Sequence, residues 1–89
     1  MTGRVYILQS DKNGSYYIGS TIHLLERLEE HNNGTVTATK HLLPWKLVFS
    51  KEYQTIKEAR QVEYRLKKLK SREIIKKIIQ EKDIRIKGR

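Results

Sequence analysis

The stretch RVYILQSDKNGSYYIGS, residues 4–20, decides the fold. Arg4 to Gln9 is a run rich in β-branched, aromatic and aliphatic residues, which reads as a strand. Ser10-Asp11-Lys12-Asn13-Gly14 is a turn cluster, and Asn-Gly is a strong hairpin signal because both residues tolerate positive φ. Ser15 to Ser20 is again aromatic and β-branched and reads as the return strand. The chain therefore opens as an antiparallel hairpin. Side chains alternate along a strand, so Tyr6 points away from Val5 and Ile7, and Tyr17 points with Gly19, away from Tyr16 and Ile18. Paired around the turn, Tyr6 and Tyr17 can approach one another across the sheet. Gly19 has no side chain and lets another group, or a phosphate, come close to the backbone.

Working outward, Ser20-Thr21 is placed to cap a helix running to about Asn32. Its apolar stripe is Leu24, Leu25 and Leu28, with Ile22 at the entry. Gly34 suits a left-handed stop after it. Residues 35–43 show no periodicity and read as a loop. Pro44 precedes a third strand, Trp45 to roughly Tyr53. Thr55-Ile56-Lys57-Glu58 fits a capping box and opens a second helix to about Lys70, with Ile56, Ala59, Val62, Leu66 and Leu69 as its stripe. Ser71 is placed to cap a third helix, with Ile74, Ile75, Ile78 and Ile79 on one side. Asp83 to Arg89 alternates isoleucine with charge. The order β-β-α-β-α-α predicts an α+β sandwich, one small sheet covered by helices in two or three layers. Eighty-nine residues allow one domain, with a core over about 4–80 and a basic extension over 81–89.

Composition narrows the function classes. The absence of cysteine excludes disulfides and zinc–thiolate sites. No stretch approaches the roughly 20 apolar residues of a membrane span, and no apolar run at the N-terminus resembles a signal peptide. A cytoplasmic protein is the simplest expectation. Net charge is +9 and unevenly placed: residues 1–56 hold six Lys/Arg against five Asp/Glu, whereas residues 57–89 hold thirteen against five. That asymmetry points to an anionic partner, nucleic acid before membrane. A solvated lysine-rich helical surface gives the same numbers.

Three further residues stand out. Arg27 and His31, at i and i+4, share a helix face and flank the leucine stripe. Glu63 lies roughly 70° from the centre of the second helix's stripe, at the border of the buried face. A carboxylate there needs a partner or a cation. Each residue taken alone also has a structural reading: strand aromatics for the tyrosines, a surface arginine, a helix-terminal histidine, an ion pair of Glu63 with Lys67 or Arg60. Taken together their chemistries are complementary. Phosphodiester hydrolysis needs a group to take a proton from water, a cation for developing charge, and stabilisation of the leaving oxygen. A guanidinium offers bidentate donors to phosphate. A phenol, with a pKa of about 10, becomes a usable base only beside cations.

These residues, in this order, resemble the GIY-YIG endonuclease family, in particular its small stand-alone members. Val5-Tyr6 matches the first signature half and Tyr17-Ile18-Gly19 the second; Arg27 and His31 follow at the family's spacing. His31-Asn32-Asn33-Gly34, Pro44-Trp45-Lys46-Leu47-Val48-Phe49, and Glu58-Ala59 leading to Glu63 and Leu66-Lys67-Lys68-Leu69 look like the linker, third strand and second helix of those members. The resemblance covers about residues 4–80. It implies a three-stranded antiparallel sheet flanked by helices and single-metal phosphodiester hydrolysis, most simply of DNA. Carried over, Tyr6 is the general base or its partner through a water, and Tyr17 orients the water or the phosphate. Arg27 stabilises the pentacovalent phosphate, His31 assists as a hydrogen-bond partner or proton relay, and Glu63 binds Mg²⁺ or Mn²⁺. Gly19 keeps the pocket open. The chain departs from the pattern in two places. Arg4 stands where the signature has its first glycine, and no asparagine follows Asn33, which leaves the C-terminal side of the pocket unassigned.

Arg65, Lys67, Lys68, Lys70, Arg72, Lys76 and Lys77 form the expected backbone-binding surface, and phosphate contacts position a substrate without reading sequence. Tyr16, Tyr64 and Trp45 are candidates to stack on bases, although a core or rim place suits each. Thr39 and Lys40, in the loop, are candidates for minor polar contacts. Two other readings stay open: a nucleic-acid-binding module of the same fold without turnover, and an interaction domain for an acidic protein. A domain this small is expected to act on a structured or single-stranded substrate, to have low specificity, or to take its specificity from a protein partner.

Overall fold

Val5, Tyr6, Ile7 and Leu8 are all within 1% of complete burial, because the strand they form lies in the middle of the sheet and is covered on both faces. A continuous apolar run, rather than strict alternation, is what such a strand requires. The computed structural model describes residues 1–84. Its sheet has the order β2-β1-β3, with β1 Gly3–Ser10, β2 Tyr16–Thr21 and β3 Trp45–Tyr53, all neighbours antiparallel. The helices are α1 Leu24–Asn32, α2 Ile56–Leu69 and α3 Arg72–Glu81, with a single 3₁₀ turn at Lys40–Leu42 before β3. The α+β architecture and its β-β-α-β-α-α order are as the sequence predicts. No helix among the described residues is long and apolar enough to cross a membrane.

The β1–β2 hairpin closes over Asp11–Gly14, with Ser10 Oγ accepting from Lys12 N at 3.0 Å and Gly14 at φ +78°. That left-handed position is why glycine stands there. Gly34, at φ +84°, follows the Asn33 cap of α1 in the same way. Thr55 caps α2 by accepting from Glu58 N at 3.1 Å, and Ser71 caps α3 by accepting from Ile74 N at 3.2 Å.

The two sheet faces carry separate clusters. On one, Val5, Ile7 and Phe49 meet Ala59 and Leu66 of α2 and Ile75 and Ile78 of α3. On the other, Tyr6, Leu8 and Trp45 meet Tyr17, Leu24 and Leu28 of α1, and Leu42 and Leu43 of the loop. Fully burying one such aliphatic or aromatic side chain is worth about 1.5–3 kcal/mol, so both helical layers are held mainly by apolar burial. A bulge lets β3 serve both clusters. Ile7 pairs with Phe49 but Leu8 pairs with Leu47, leaving Val48 as the extra residue. A regular strand would put residues 45 and 49 on one face; the added residue turns Trp45 and Phe49 to opposite faces.

Three expectations are corrected. Ser20 and Thr21 do not cap a helix: they finish β2, and α1 begins after His23, which provides no side-chain cap. Thr21 Oγ1 instead accepts from His23 N at 3.0 Å, fixing the turn into the helix. Leu25 is 78% exposed, and Ile22 is also exposed; a nine-residue helix lying on the sheet buries a narrow stripe, which Leu24 and Leu28 fill. Leu69 and Ile74 are exposed as well, because they flank the bend between α2 and α3 rather than face the sheet. The alternation read over Asp83 to Arg89 lies mostly outside the described residues. Within them, Asp83 accepts from Lys51 Nζ at 2.6 Å and Ile84 packs against the α2–α3 cluster.

Candidate active site

Pairing places Tyr6 opposite Gly19 and Leu8 opposite Tyr17, so both tyrosines project to the face under α1. Their ring centroids are 6.5 Å apart. The last turn of α1 sets His31 above both rings, with centroids 5.7 Å from Tyr6 and 5.0 Å from Tyr17, each edge-on. His31 is wholly buried. Trp45 completes the aromatic floor, 6.3 Å from Tyr17.

A chain of hydrogen bonds fixes the histidine. Tyr6 Oη lies 3.0 Å from His31 Nε2, and His31 Nδ1 lies 2.9 Å from Thr39 Oγ1. The Thr39 hydroxyl has its own acceptor in Val36 O at 3.4 Å, and Thr39 O accepts from Trp45 Nε1 at 2.8 Å. Burial first, and then the nearby Arg27 cation, lower the His31 pKa, so the ring is neutral near pH 7. A neutral imidazole has one N–H. With the Thr39 proton directed to Val36, the network assigns that N–H to Nδ1, leaving Nε2 to accept from the Tyr6 phenol.

Burial raises the pKa of Tyr6, and the Arg27 guanidinium beside it pulls the other way. Arg27 is half-buried and also reaches Glu30 Oε1 at 2.8 Å; that carboxylate, and then Tyr6, hold its proton more firmly. Glu63 projects from α2 toward the β2 edge. Its Oε1 accepts from Ser20 Oγ and its Oε2 pairs with Lys67 Nζ at 2.7 Å. Tyr6, Tyr17, Arg27 and His31 therefore gather on one face of the sheet, while Glu63 sits at the β2 edge and is linked to them through Lys67. Lys67 passes the edge strand to place Nζ 5.6 Å from the Tyr17 ring centroid.

Gly19 has a more specific place than a general opening. A Cβ there would collide with the hydroxyl and ring of Tyr6, so the space is filled by the tyrosine itself. Two residues escape sequence reasoning. Ser20 reaches Glu63, and its signal was legible: alternation puts this hydroxyl on the Val5 and Ile7 face, beside the core. Thr39 was a minor candidate, and nothing in its spacing from His31, across an irregular loop, places it at Nδ1. The predicted basic surface divides. Lys67, Lys70 and Arg72 line a cleft beside Tyr16, where Arg72 lies 4.8 Å from the ring centroid and donates to Gly14 O at 3.1 Å. Arg65 and Lys68 line a groove on the outer side of α2. Lys76 and Lys77 are exposed on α3. No cluster of three or more His, Cys, Asp or Glu able to hold a metal occurs among the described residues. The donor set therefore fits only an ion that takes one carboxylate and completes its shell with water and substrate, as Mg²⁺ does.

Comparison with known proteins bears on this geometry. The family described as the GIY-YIG catalytic domain matches residues 2–78. A UPF0213 protein of Bacillus licheniformis is 41% identical over 78 residues, covering 86% of this chain and 78% of that protein. A UPF0213 protein of Clostridium perfringens is 41% identical over 66 residues, covering 73% of this chain and 70% of that protein. The solution NMR structure of a UPF0213 protein from Bacillus halodurans superposes with a TM-score of 0.60 at 31% identity, covering 92% of this chain and 86% of the other.

Proposed function

The chain belongs to the GIY-YIG family, and on that premise we propose that it is a metal-dependent endonuclease hydrolysing phosphodiester bonds in DNA. The observation that carries the reading is the Tyr6 hydroxyl held 3.0 Å from a neutral His31, with Arg27, Tyr17 and Glu63 around it. A phenol whose pKa is raised is a weak base alone. It acts as a relay once its own proton has a destination. As Tyr6 Oη takes a proton from the attacking water, its proton passes to His31 Nε2. The water becomes a hydroxide-like nucleophile, Tyr6 stays neutral and His31 becomes cationic. Arg27 turns from Glu30 to the phosphate and offsets the charge of the pentacovalent phosphorus. Tyr17, at the edge of the floor, orients the water or the phosphate. Glu63 is the residue that would hold Mg²⁺ or Mn²⁺, with the half-exposed Lys67 leaving Oε2. Bound there, the ion supplies Lewis-acid charge to the leaving oxygen.

Arg65, Lys67, Lys68, Lys70, Arg72, Lys76 and Lys77 would hold the sugar–phosphate backbone. Specificity in this reading comes from substrate shape or a protein partner, and the working compartment is the cytoplasm. The test mixes purified protein with single-stranded, duplex and branched DNA in Mg²⁺ or Mn²⁺, and compares wild type with Tyr6→Phe, Arg27→Ala and Glu63→Ala. Wild type should cut at least one form and the variants should not. No cutting by wild type, or equal cutting by the variants, removes the catalytic reading.

One observation favours a second reading, a nucleic-acid-binding module without turnover. Both Glu63 oxygens are already engaged, by Ser20 and Lys67, so the carboxylate is satisfied without an ion. That module predicts binding that falls steeply with salt and substrate left intact after long incubation with metal.

A further inference from the structure

The outer surface of α2 is ordered around the helix in a particular sequence. At about 100° per residue, Glu63 lies about 70° from the centre of the buried stripe, Lys67 about 40° further round, Arg60 about 20° beyond that, Tyr64 about 40° beyond Arg60, and then Lys57 and Lys68. Cations thus flank Tyr64 on both sides, from the candidate active site round to the far side of the helix. Lys57, Arg60, Tyr64, Arg65 and Lys68 line one open groove, and no lining residue is acidic. Tyr64 is 64% exposed, whereas the other six aromatic residues are buried or half-buried. It adds nothing to the core, and Lys68 Nζ sits 5.6 Å from its ring centroid.

We propose that this groove is a track for a single strand of nucleic acid leading away from the active site, with Lys57, Arg60 and Lys68 on its phosphates and Tyr64 stacked on one base. Stacking on an exposed ring requires an unpaired base, which a duplex does not offer; cations alone would serve either form. The arc from Glu63 to Tyr64 is about 10 Å on a helix 10–12 Å across, so the stacked base lies within a few nucleotides of the scissile phosphate. This inference rests on the nuclease reading and identifies the strand form that reaches its site.

The test uses full-length Tyr6→Phe protein, so that bound oligonucleotide stays uncut. Fluorescence anisotropy measures binding to a single-stranded oligonucleotide and to a blunt duplex, for the parent and with Tyr64→Ala or Tyr64→Phe added. Tyr64→Ala should weaken single-strand binding about tenfold and leave duplex binding unchanged, while Tyr64→Phe binds as the parent does. A 2-aminopurine scanned along the strand should be quenched at one position, and the quench should vanish in Tyr64→Ala. Unchanged single-strand binding by Tyr64→Ala, or an equal loss on duplex, overturns the track while wild-type cleavage still supports the nuclease. A parent that binds no nucleic acid overturns both.

Discussion

On one side of β1, Val5 and Ile7 meet hydrocarbon from α2 and α3. On the other side of the same strand, Tyr6 meets a histidine nitrogen, and that histidine in turn meets a threonine hydroxyl. The first contact is non-directional and tolerates small shifts. The second is directional, and it is complete: among the described residues no buried side-chain nitrogen or oxygen lacks a partner. One strand thus divides its alternate residues between cohesion and chemistry. The comparison teaches that damage to the two faces should separate, stability failing on one and reactivity on the other.

The sharpest way to break that comparison is Tyr6→Phe. It removes a hydroxyl and keeps the ring, so cleavage should fall about 10²–10⁴-fold, the usual range for a lost acid–base group. Stability should fall by only about 1–3 kcal/mol, from the unpaired His31 Nε2. Single-turnover cleavage and urea unfolding read the two quantities, and a collapse of the fold with no specific rate loss would contradict the division. Leu66→Ala is the converse. It should lower stability by about 2–5 kcal/mol while the folded fraction cleaves at the wild-type rate; a rate loss exceeding the folded fraction would show that the faces are coupled.

Thr39→Val has a smaller effect and sharpens the chemical side. The isostere removes the Nδ1 acceptor, costs about 1–3 kcal/mol, and should shift His31 toward the other tautomer, visible in its ¹⁵N chemical shifts. Thr39→Ser should restore both. A tautomer unchanged in Thr39→Val would refute the assigned network. The smallest effect is pH-dependent. Because burial lowers the His31 pKa in the folded state, the unfolded chain binds more protons on acidification. The stability from this residue is therefore full above the unfolded value of about 6.5 and is lost as pH falls below it. His31→Gln should flatten that decline in chemical denaturation at pH 7, 6 and 5, whereas an unchanged slope would assign it to other groups.

Much of this division was legible in the sequence, and the exceptions have physical reasons. The hairpin, three strands, the Thr55 and Ser71 caps, and the placement of Tyr6 with Tyr17 follow from local rules of alternation, turn chemistry and capping. Glu63 at the edge of its helical stripe followed from periodicity. The start of α1 did not, because Ser20 and Thr21 satisfy a helix cap and a strand end equally well, and they pair with Val5 and Arg4 of β1. Thr39 was illegible as a histidine partner because its placement depends on how the loop between α1 and β3 folds over α1. The outward turn of Leu25 depended on how much of a short helix the sheet can cover, which a helical wheel does not contain.

Gly19 and Tyr6 have a joint consequence. Since the tyrosine occupies the room that a side chain at residue 19 would need, the two halves of the hairpin cannot vary independently. Residue 19 works as a steric dial on the phenol: a methyl group added there displaces Tyr6 relative to His31 and leaves every reactive atom chemically unchanged. Position 19 thus separates the distance dependence of proton transfer from its chemical identity, which no substitution of Tyr6 itself can do.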